Sequence, residues 1–364
     1  MPVKAAILIG KELIKIQDVT PLSLQAGEVR IDIHAALTCG TDLKVFKRGY
    51  HAKMIVPPAV FGHELAGIIG EVGAPLDPSL SPSVRGFQGS VVARPGEWRV
   101  GERVVAANSA PCGNCFFCQQ GQENLCADLL FLNGAYAESI VVPARLAQRN
   151  LLRLKPETGF RDAALTEPLA CVVQGVEDLQ LRAGQRLLII GSGPIGLMFV
   201  AVAKHLGCVV ALAGRGENRL RTAQRLGANP VVDVAANLKL VDTVQAQSRS
   251  EFDVVIEAVG KPETWEAAVQ LVRRGGAVNF FGGCPAGTTV SLDTSRIHYA
   301  SLTLHASFHH TPRSVRQALL FIESGVIKAD DFVDGECPLS KLPELFQSMA
   351  AGNRAVKTLI RVHE

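Results

Sequence analysis

Aromatic residues are scarce in this 364-residue chain, at 5%, and neither sign of charge dominates it. With 37 basic and 34 acidic residues, the net charge is only +3, and the basic residues are scattered rather than blocked. That balance excludes a nucleic-acid or anionic-membrane partner that would need a concentrated basic face. Long apolar runs are also missing. Leu187–Ala203 is the nearest to one, but Gly191-Ser192-Gly193-Pro194 breaks it, and its length is marginal for a bilayer. The first residues, MPVKAAILIGKEL, carry neither the apolar core nor the small-residue cleavage site of a secretory signal. A cytoplasmic protein is expected. In a reducing compartment the nine cysteines are poor candidates for disulfides, and clustered ones read better as metal ligands.

What the chain has is apolar residue, 48%, and 34 glycines, enough length and core for two domains. Val29-Arg30-Ile31-Asp32-Ile33-His34-Ala35 alternates with period two, as a half-buried strand does. Gly67–Val72, Arg103–Ala106 and Ser139–Val142 extend this β-rich region. Gly73–Gly101, rich in Pro, Ser and Gly, reads as a long surface loop. Near residue 185 the rhythm changes. Short apolar strands at Leu187–Ile190, Val209–Ala213, Val231–Val234, Asp253–Ala258, Ala277–Gly282 and Leu302–Ala306 alternate with helical segments such as Glu217–Leu226 and Glu263–Val272. That alternation predicts a parallel sheet covered on both faces. Amphipathic helices at Ser314–Ser324 and Lys341–Ala350 and a closing strand at Lys357–Val362 follow. The predicted fold class is α/β. Residues 1–158 and 306–364 form a β-rich domain, and residues 159–305 an inserted, doubly wound dinucleotide-binding domain.

Leu187–Ile190 runs straight into Gly191-Ser192-Gly193-Pro194-Ile195-Gly196 and then into a helix, which is G-x-G-x-x-G in a strand–turn–helix setting. The first glycine permits the tight turn, and the second lets backbone approach a pyrophosphate. The third allows close helix–strand packing, and the helix start offers free N–H groups to the anion. Glycine turns recur without ligands, but the βαβ rhythm around this one points to a dinucleotide. NAD sites usually carry an Asp or Glu at the tip of the second strand to hold the ribose hydroxyls. Here that tip reads Gly214-Arg215, so no carboxylate repels a 2′-phosphate and a guanidinium stands ready to bind it, with Arg219 assisting. NADP is therefore expected over NAD. The plainer alternative is a solvated basic helix, with Glu217 taking the ribose.

Cys112, Cys115, Cys118 and Cys126 form C-x2-C-x2-C-x7-C. Four clustered thiolates can enclose one ion tetrahedrally; zinc is the default, although iron–sulfur clusters use similar spacing. A closed four-sulfur shell leaves no position for substrate, so the site is structural, a metal standing in for a core that the loop lacks. Cys39, His63, Glu64 and Glu167 are dispersed. Singly each has a bland reading, such as a buried thiol or surface decoration. Together they supply the three ligands and open position of a catalytic zinc.

Thr38-Cys39-Gly40-Thr41-Asp42, Phe61-Gly62-His63-Glu64-Leu65-Ala66-Gly67, the four-cysteine loop, Glu167-Pro168-Leu169-Ala170 and the glycine turn occur in the order and spacing of the medium-chain zinc-dependent dehydrogenases. The chain most resembles the sorbitol (polyol) and threonine dehydrogenase branch. The resemblance spans all but the Gly73–Gly101 loop. It implies a GroES-like catalytic domain around a Rossmann domain, two zincs per chain, and NADP or NAD as hydride carrier. Cys39 and His63 would hold the catalytic zinc, with Glu64 or Glu167 completing the shell directly or through water. Classical alcohol dehydrogenases have a cysteine where Glu167 stands, and the glutamate favours the polyol branch. Thr41 falls where a hydroxyl bonds the substrate oxygen, and Asp42 where a carboxylate orients the ligating histidine. Many relatives carry a relay histidine just after the Thr-Asp pair, where this chain has Leu43-Lys44. The expected activity is hydride transfer between an alcohol, polyol or sugar and NAD(P), in a homodimer or homotetramer. Alternatives are a threonine-type or simple secondary-alcohol dehydrogenase using NAD, and a non-enzymatic redox or NADP sensor. Loss of the Cys39, His63 and Glu167 set would mark a zinc-free reductase, and the set is present.

Overall fold

A computed structural model describes residues 2–51, 53–76, 98–234, 239–248, 251–352 and 355–363. Residues 77–97, most of the Gly73–Gly101 loop, lie outside the described residues. The chain divides into two compact units, Met1–Ala170 with His310–Glu364, and Cys171–His309.

The first unit is built on a seven-stranded sheet. Its order is Leu151–Arg153, Arg103–Ala106, Glu64–Val72, Val29–Leu37, Lys357–Arg361 and Val333–Pro338, with Ser139–Val142 also paired to Val29–Leu37. The period-two pattern of Val29–Leu37 does what its sequence dictates: Val29, Ile31, Ile33 and Ala35 are buried while Arg30, Asp32 and His34 are not. A three-stranded sheet of Leu13–Val19, Val3–Gly10 and Ala59–Val60 lies in the same unit. Register places the chemistry here. Leu37 pairs with Glu64 on one side and with Leu359 on the other. The first residues of Glu64–Val72 and of Lys357–Arg361 thus flank one strand, although they are 293 positions apart.

The second unit is a six-stranded parallel sheet ordered Val231–Asp233, Val209–Gly214, Arg186–Ile190, Phe252–Glu257, Val272–Phe280 and Thr303–His305. Counted within the unit, that is 3-2-1-4-5-6, the doubly wound Rossmann arrangement. Its strands are apolar because helices such as Pro194–His205 cover them; Leu187, Leu188 and Ile189 are fully buried. One strand is longer than its sequence suggested. The reading Ala277–Gly282 becomes Val272–Phe280, because Gly275 (φ 68°) and Gly276 carry an irregularity in register that the alternation pattern does not reveal.

Candidate metal and cofactor sites

The helix Gly40–Arg48 organises the dispersed set. Cys39 is its N-cap, and the Cys39 Sγ accepts the Thr41 N–H at 3.4 Å. A helix start offers unpaired N–H groups, and the Cys39 sulfur takes one of them. Asp42 lies in the same first turn and is buried. Its Oδ1 meets the His63 Nδ1 at 2.8 Å, and its Oδ2 accepts the Tyr136 hydroxyl at 2.6 Å. With Nδ1 donating to a carboxylate, the His63 Nε2 keeps a lone pair for a metal. Burial alone would lower the His63 pKa, but the facing Asp42 and Cys39 raise it well above its ordinary value.

Glu167 sits in the first turn of Thr166–Leu179, with its Oε2 4.0 Å from the His63 Nε2. A tetrahedral ion bonded to both at about 2.0–2.1 Å would hold them about 3.4 Å apart, so the two atoms face one site and would close by about 0.6 Å on binding it. Its Oε1 faces the His310 Nε2 at 3.9 Å, and that nitrogen is 2.9 Å from the Asn108 Oδ1. Burial, reinforced by Glu64 and Asp42, pushes the Glu167 carboxyl up to about 7 even though His63 and Lys357 oppose the shift. Glu64 is engaged differently. The Lys357 Nζ donates to its Oε1 at 2.7 Å and its Oε2 at 2.5 Å, and also to the Thr38 carbonyl at 3.0 Å. The donor atoms of Cys39, His63 and Glu64 nevertheless lie within 4.8 Å of one another. Sulfur, imidazole and carboxylate together make a zinc-type donor set.

The four cysteines come together as a second set. Sulfur separations are 3.9 Å for Cys112–Cys118, 3.6 Å for Cys115–Cys118 and 3.9 Å for Cys115–Cys126. A tetrahedron with sulfurs about 2.3 Å from a central ion has edges of about 3.8 Å. The thiols are spaced for zinc and are too far apart to be disulfides. The backbone N–H of Cys112 donates to the Cys126 Sγ (3.2 Å), and that of Gly113 to the Cys118 Sγ (3.3 Å), the kind of bond that would steady these sulfurs as metal ligands.

At the glycine turn, Gly191 has φ 121°, a conformation open to glycine. A Cβ on Gly196 would lie 1.9 Å from the Gly191 carbonyl oxygen, which is the close packing demanded of the third glycine. A Cβ on Gly193 would meet nothing within 4 Å, so open space adjoins the start of the helix that begins Pro194-Ile195-Gly196. That geometry fits a pyrophosphate. Gly214 ends the second strand, Arg215 beyond it is exposed, and Arg219 is half-buried. Glu217 is exposed and pairs with Arg221 at 3.5 Å.

Thr41, half-buried, follows Cys39 on the same helix turn, while Lys44 points to solvent and His51 is half-buried. Sequence reasoning missed Tyr136, His310, Asn108 and the role of Lys357. Only Lys357 left a signal, a charged residue opening the closing strand Lys357–Arg361.

Residues 25–151 match the alcohol dehydrogenase GroES-like domain family, and residues 194–324 the zinc-binding dehydrogenase family. D-altritol 5-dehydrogenase of Agrobacterium fabrum is 30% identical over 332 residues, covering 89% of each chain. Sorbitol dehydrogenase of Bacillus subtilis is 26% identical over 365 residues, covering 98% of this chain and 96% of its own. A Sinorhizobium meliloti protein assigned as a zinc-binding dehydrogenase and solved bound to NADP superposes with a TM-score of 0.85, at 26% identity and 99% coverage of both chains. The chain belongs to the zinc-dependent medium-chain dehydrogenases, in the polyol and threonine branch, and is an NAD(P)-dependent alcohol or polyol oxidoreductase. No helix among the described residues is long and apolar enough to cross a membrane.

Proposed function

We propose that the chain oxidises a secondary alcohol of a polyol or sugar, reversibly and with NADP, at a zinc held by Cys39, His63 and Glu167. The observation that carries this is the capture of Glu64. Both of its oxygens are bonded to Lys357, so Glu167, rather than Glu64, is the carboxylate free to serve as third ligand. Zinc, when bound, supplies Lewis acidity that acidifies an alcohol and polarises the carbonyl in reverse. The chain's residues do the rest. Asp42 fixes the His63 tautomer, and Thr41 accepts the substrate proton and passes it outward. The turn at Gly191, Gly193, Pro194, Ile195 and Gly196 holds the cofactor pyrophosphate, and Gly214, Arg215 and Arg219 receive the 2′-phosphate. Cys112, Cys115, Cys118 and Cys126 hold a second, structural zinc that holds their loop together. As in that branch generally, the working form is a homodimer or homotetramer, in the cytoplasm.

The test pairs metal analysis with turnover. Wild type should bind two zincs and reduce NADP with sugar alcohols, whereas Glu167→Gln should retain one zinc and lose turnover. Zinc lost from Glu64→Gln but kept in Glu167→Gln would overturn the ligand assignment. Two bound zincs with no turnover of any alcohol in the panel would overturn the activity.

A further inference from the structure

The glycine turn contains a residue whose side chain the phosphate-binding role does not need. Ser192, the variable second position of G-x-G-x-x-G, is 5% exposed. Its hydroxyl accepts the Arg215 N–H at 2.9 Å and donates to the Arg215 carbonyl at 2.7 Å, so one side chain closes both backbone polar groups of the residue beyond the strand tip. The same side chain fills the space at the tip itself. A Cβ built on Gly214 would lie 2.5 Å from the Ser192 Cβ and 2.6 Å from its Oγ. Real Cβ atoms do not approach that closely, and the Ser192 backbone nitrogen, 2.9 Å away, leaves no slack. Ser192 as placed and any side chain at position 214 therefore exclude each other.

We infer that Ser192 is a cofactor-selecting residue. It bars the strand-tip carboxylate that would hold unphosphorylated ribose, and it pins the peptide of Arg215, the guanidinium offered to a 2′-phosphate. The inference rests on the NADP reading above but differs in kind. That reading locates selectivity in the absent carboxylate and the present arginine. Here the choice belongs to the pair Ser192–Gly214, so the two positions must change together. Gly214→Asp alone forces Ser192 aside, distorting the turn while its carboxylate meets a crowded tip. Ser192→Gly with Gly214→Asp removes the two closest contacts, those with the serine Cβ and Oγ, and leaves only the backbone nitrogen at 2.9 Å, which must give by a few tenths of an ångström for the carboxylate to face the ribose hydroxyls.

The experiment measures dissociation constants for NADP, NAD, adenosine 2′,5′-bisphosphate and ADP by titration calorimetry, with circular dichroism confirming that each variant is folded. Wild type should prefer each phosphorylated ligand. Gly214→Asp should lose NADP and gain little NAD, and the double variant should bind NAD about tenfold more tightly than Gly214→Asp, the non-additivity expected of contacting residues. Ser192→Gly alone should weaken NADP several-fold more than it weakens NAD; Ser192→Ala, which keeps the Cβ, should not rescue Gly214→Asp. Equal NAD affinity in Gly214→Asp and the double variant overturns the inference while the NADP reading stands. Wild type binding adenosine 2′,5′-bisphosphate no better than ADP overturns the NADP reading itself.

Discussion

Lys357 is the side chain whose removal should do most damage without touching substrate or cofactor. It is 2% exposed and faces Glu64, which is fully buried, across the strand Val29–Leu37. Its ammonium donates twice to Glu64 and once to the Thr38 carbonyl. Lys357→Met retains most of the apolar stem but leaves a buried carboxylate without its cation. Removing one partner of a buried ion pair costs about 3–5 kcal/mol. That is a large fraction of the roughly 5–15 kcal/mol by which domains are stable. For a unit of this size each kcal/mol lowers Tm by about 2–4 °C, so the variant should melt about 6–20 °C below wild type. Glu64→Gln with Lys357→Met should recover most of the loss, because the uncompensated charge, rather than the lost pair, is what costs stability. Glu64 also lies beside Cys39 and His63, so zinc should rescue Lys357→Met more than it stabilises wild type. Scanning calorimetry of zinc-loaded and chelated protein reads all of these. A loss below about 1 kcal/mol, or a double variant no more stable than Lys357→Met, would refute the reasoning.

The Tyr136→Phe variant removes the hydroxyl that donates to the Asp42 Oδ2 at 2.6 Å inside a fully buried cluster. Zinc affinity, measured by chelator competition, should fall about 10–100-fold, as for other partners behind a ligating histidine, and an unchanged affinity would deny that Asp42 needs this bond. In the four-cysteine loop, the backbone N–H groups of Cys118 and Ala127 pull Cys115 down to about 6, whereas burial pushes Cys118 up. Above that pH Cys115 is a thiolate and below it a thiol. In chelated protein its alkylation should therefore rise through a midpoint near pH 6 and precede that of Cys118, while zinc-loaded protein resists. A midpoint near that of free cysteine, about 8.5, would contradict the assignment.

The features legible from the residues themselves were those whose parts lie within one local stretch; the dispersed Cys39, His63 and Glu167 set was legible only through motif order and family resemblance. The four thiols span Cys112 to Cys126, and the glycine turn needs only Leu187 to the end of one helix. Strand boundaries such as Arg103–Ala106 and Ser139–Val142 followed from composition between glycines and prolines and agree with the fold. Period-two burial identified Val29–Leu37 because alternation encodes which face is wet. Alternation does not encode which strand lies alongside. Glu64–Lys357, 293 residues apart, and Asp42–Tyr136, 94 apart, are consequences of register and loop path, and neither leaves a periodic trace. Ser192–Gly214 is subtler. A glycine in place of a carboxylate is visible as an absence, but only packing shows that a neighbouring serine occupies the volume.

The same cross-strand partners explain how four acidic groups share one buried site. Cys39, Asp42, Glu64 and Glu167 converge from three parts of the chain, with Lys357, His63 and His310 among the basic groups beside them. The acidic groups are not equivalent. Asp42 is stabilised by the hydroxyl of Tyr136 and the ring of His63, and Glu64 by Lys357. Cys39 takes a helix N–H. Glu167 has the weakest compensation: its nearest basic atoms stand about 4 Å away, and burial pushes its carboxyl up to about 7; burial also raises Glu64, but there the ammonium of Lys357 opposes it in direct contact. A carboxylate that is buried, poorly compensated and facing an imidazole nitrogen gains most from a divalent cation. The groups already satisfied by Lys357 and Tyr136 gain least. The hydrogen-bond network thus separates the carboxylates already bonded to Tyr136, His63 or Lys357 from Glu167, which has no such bond at hydrogen-bond distance.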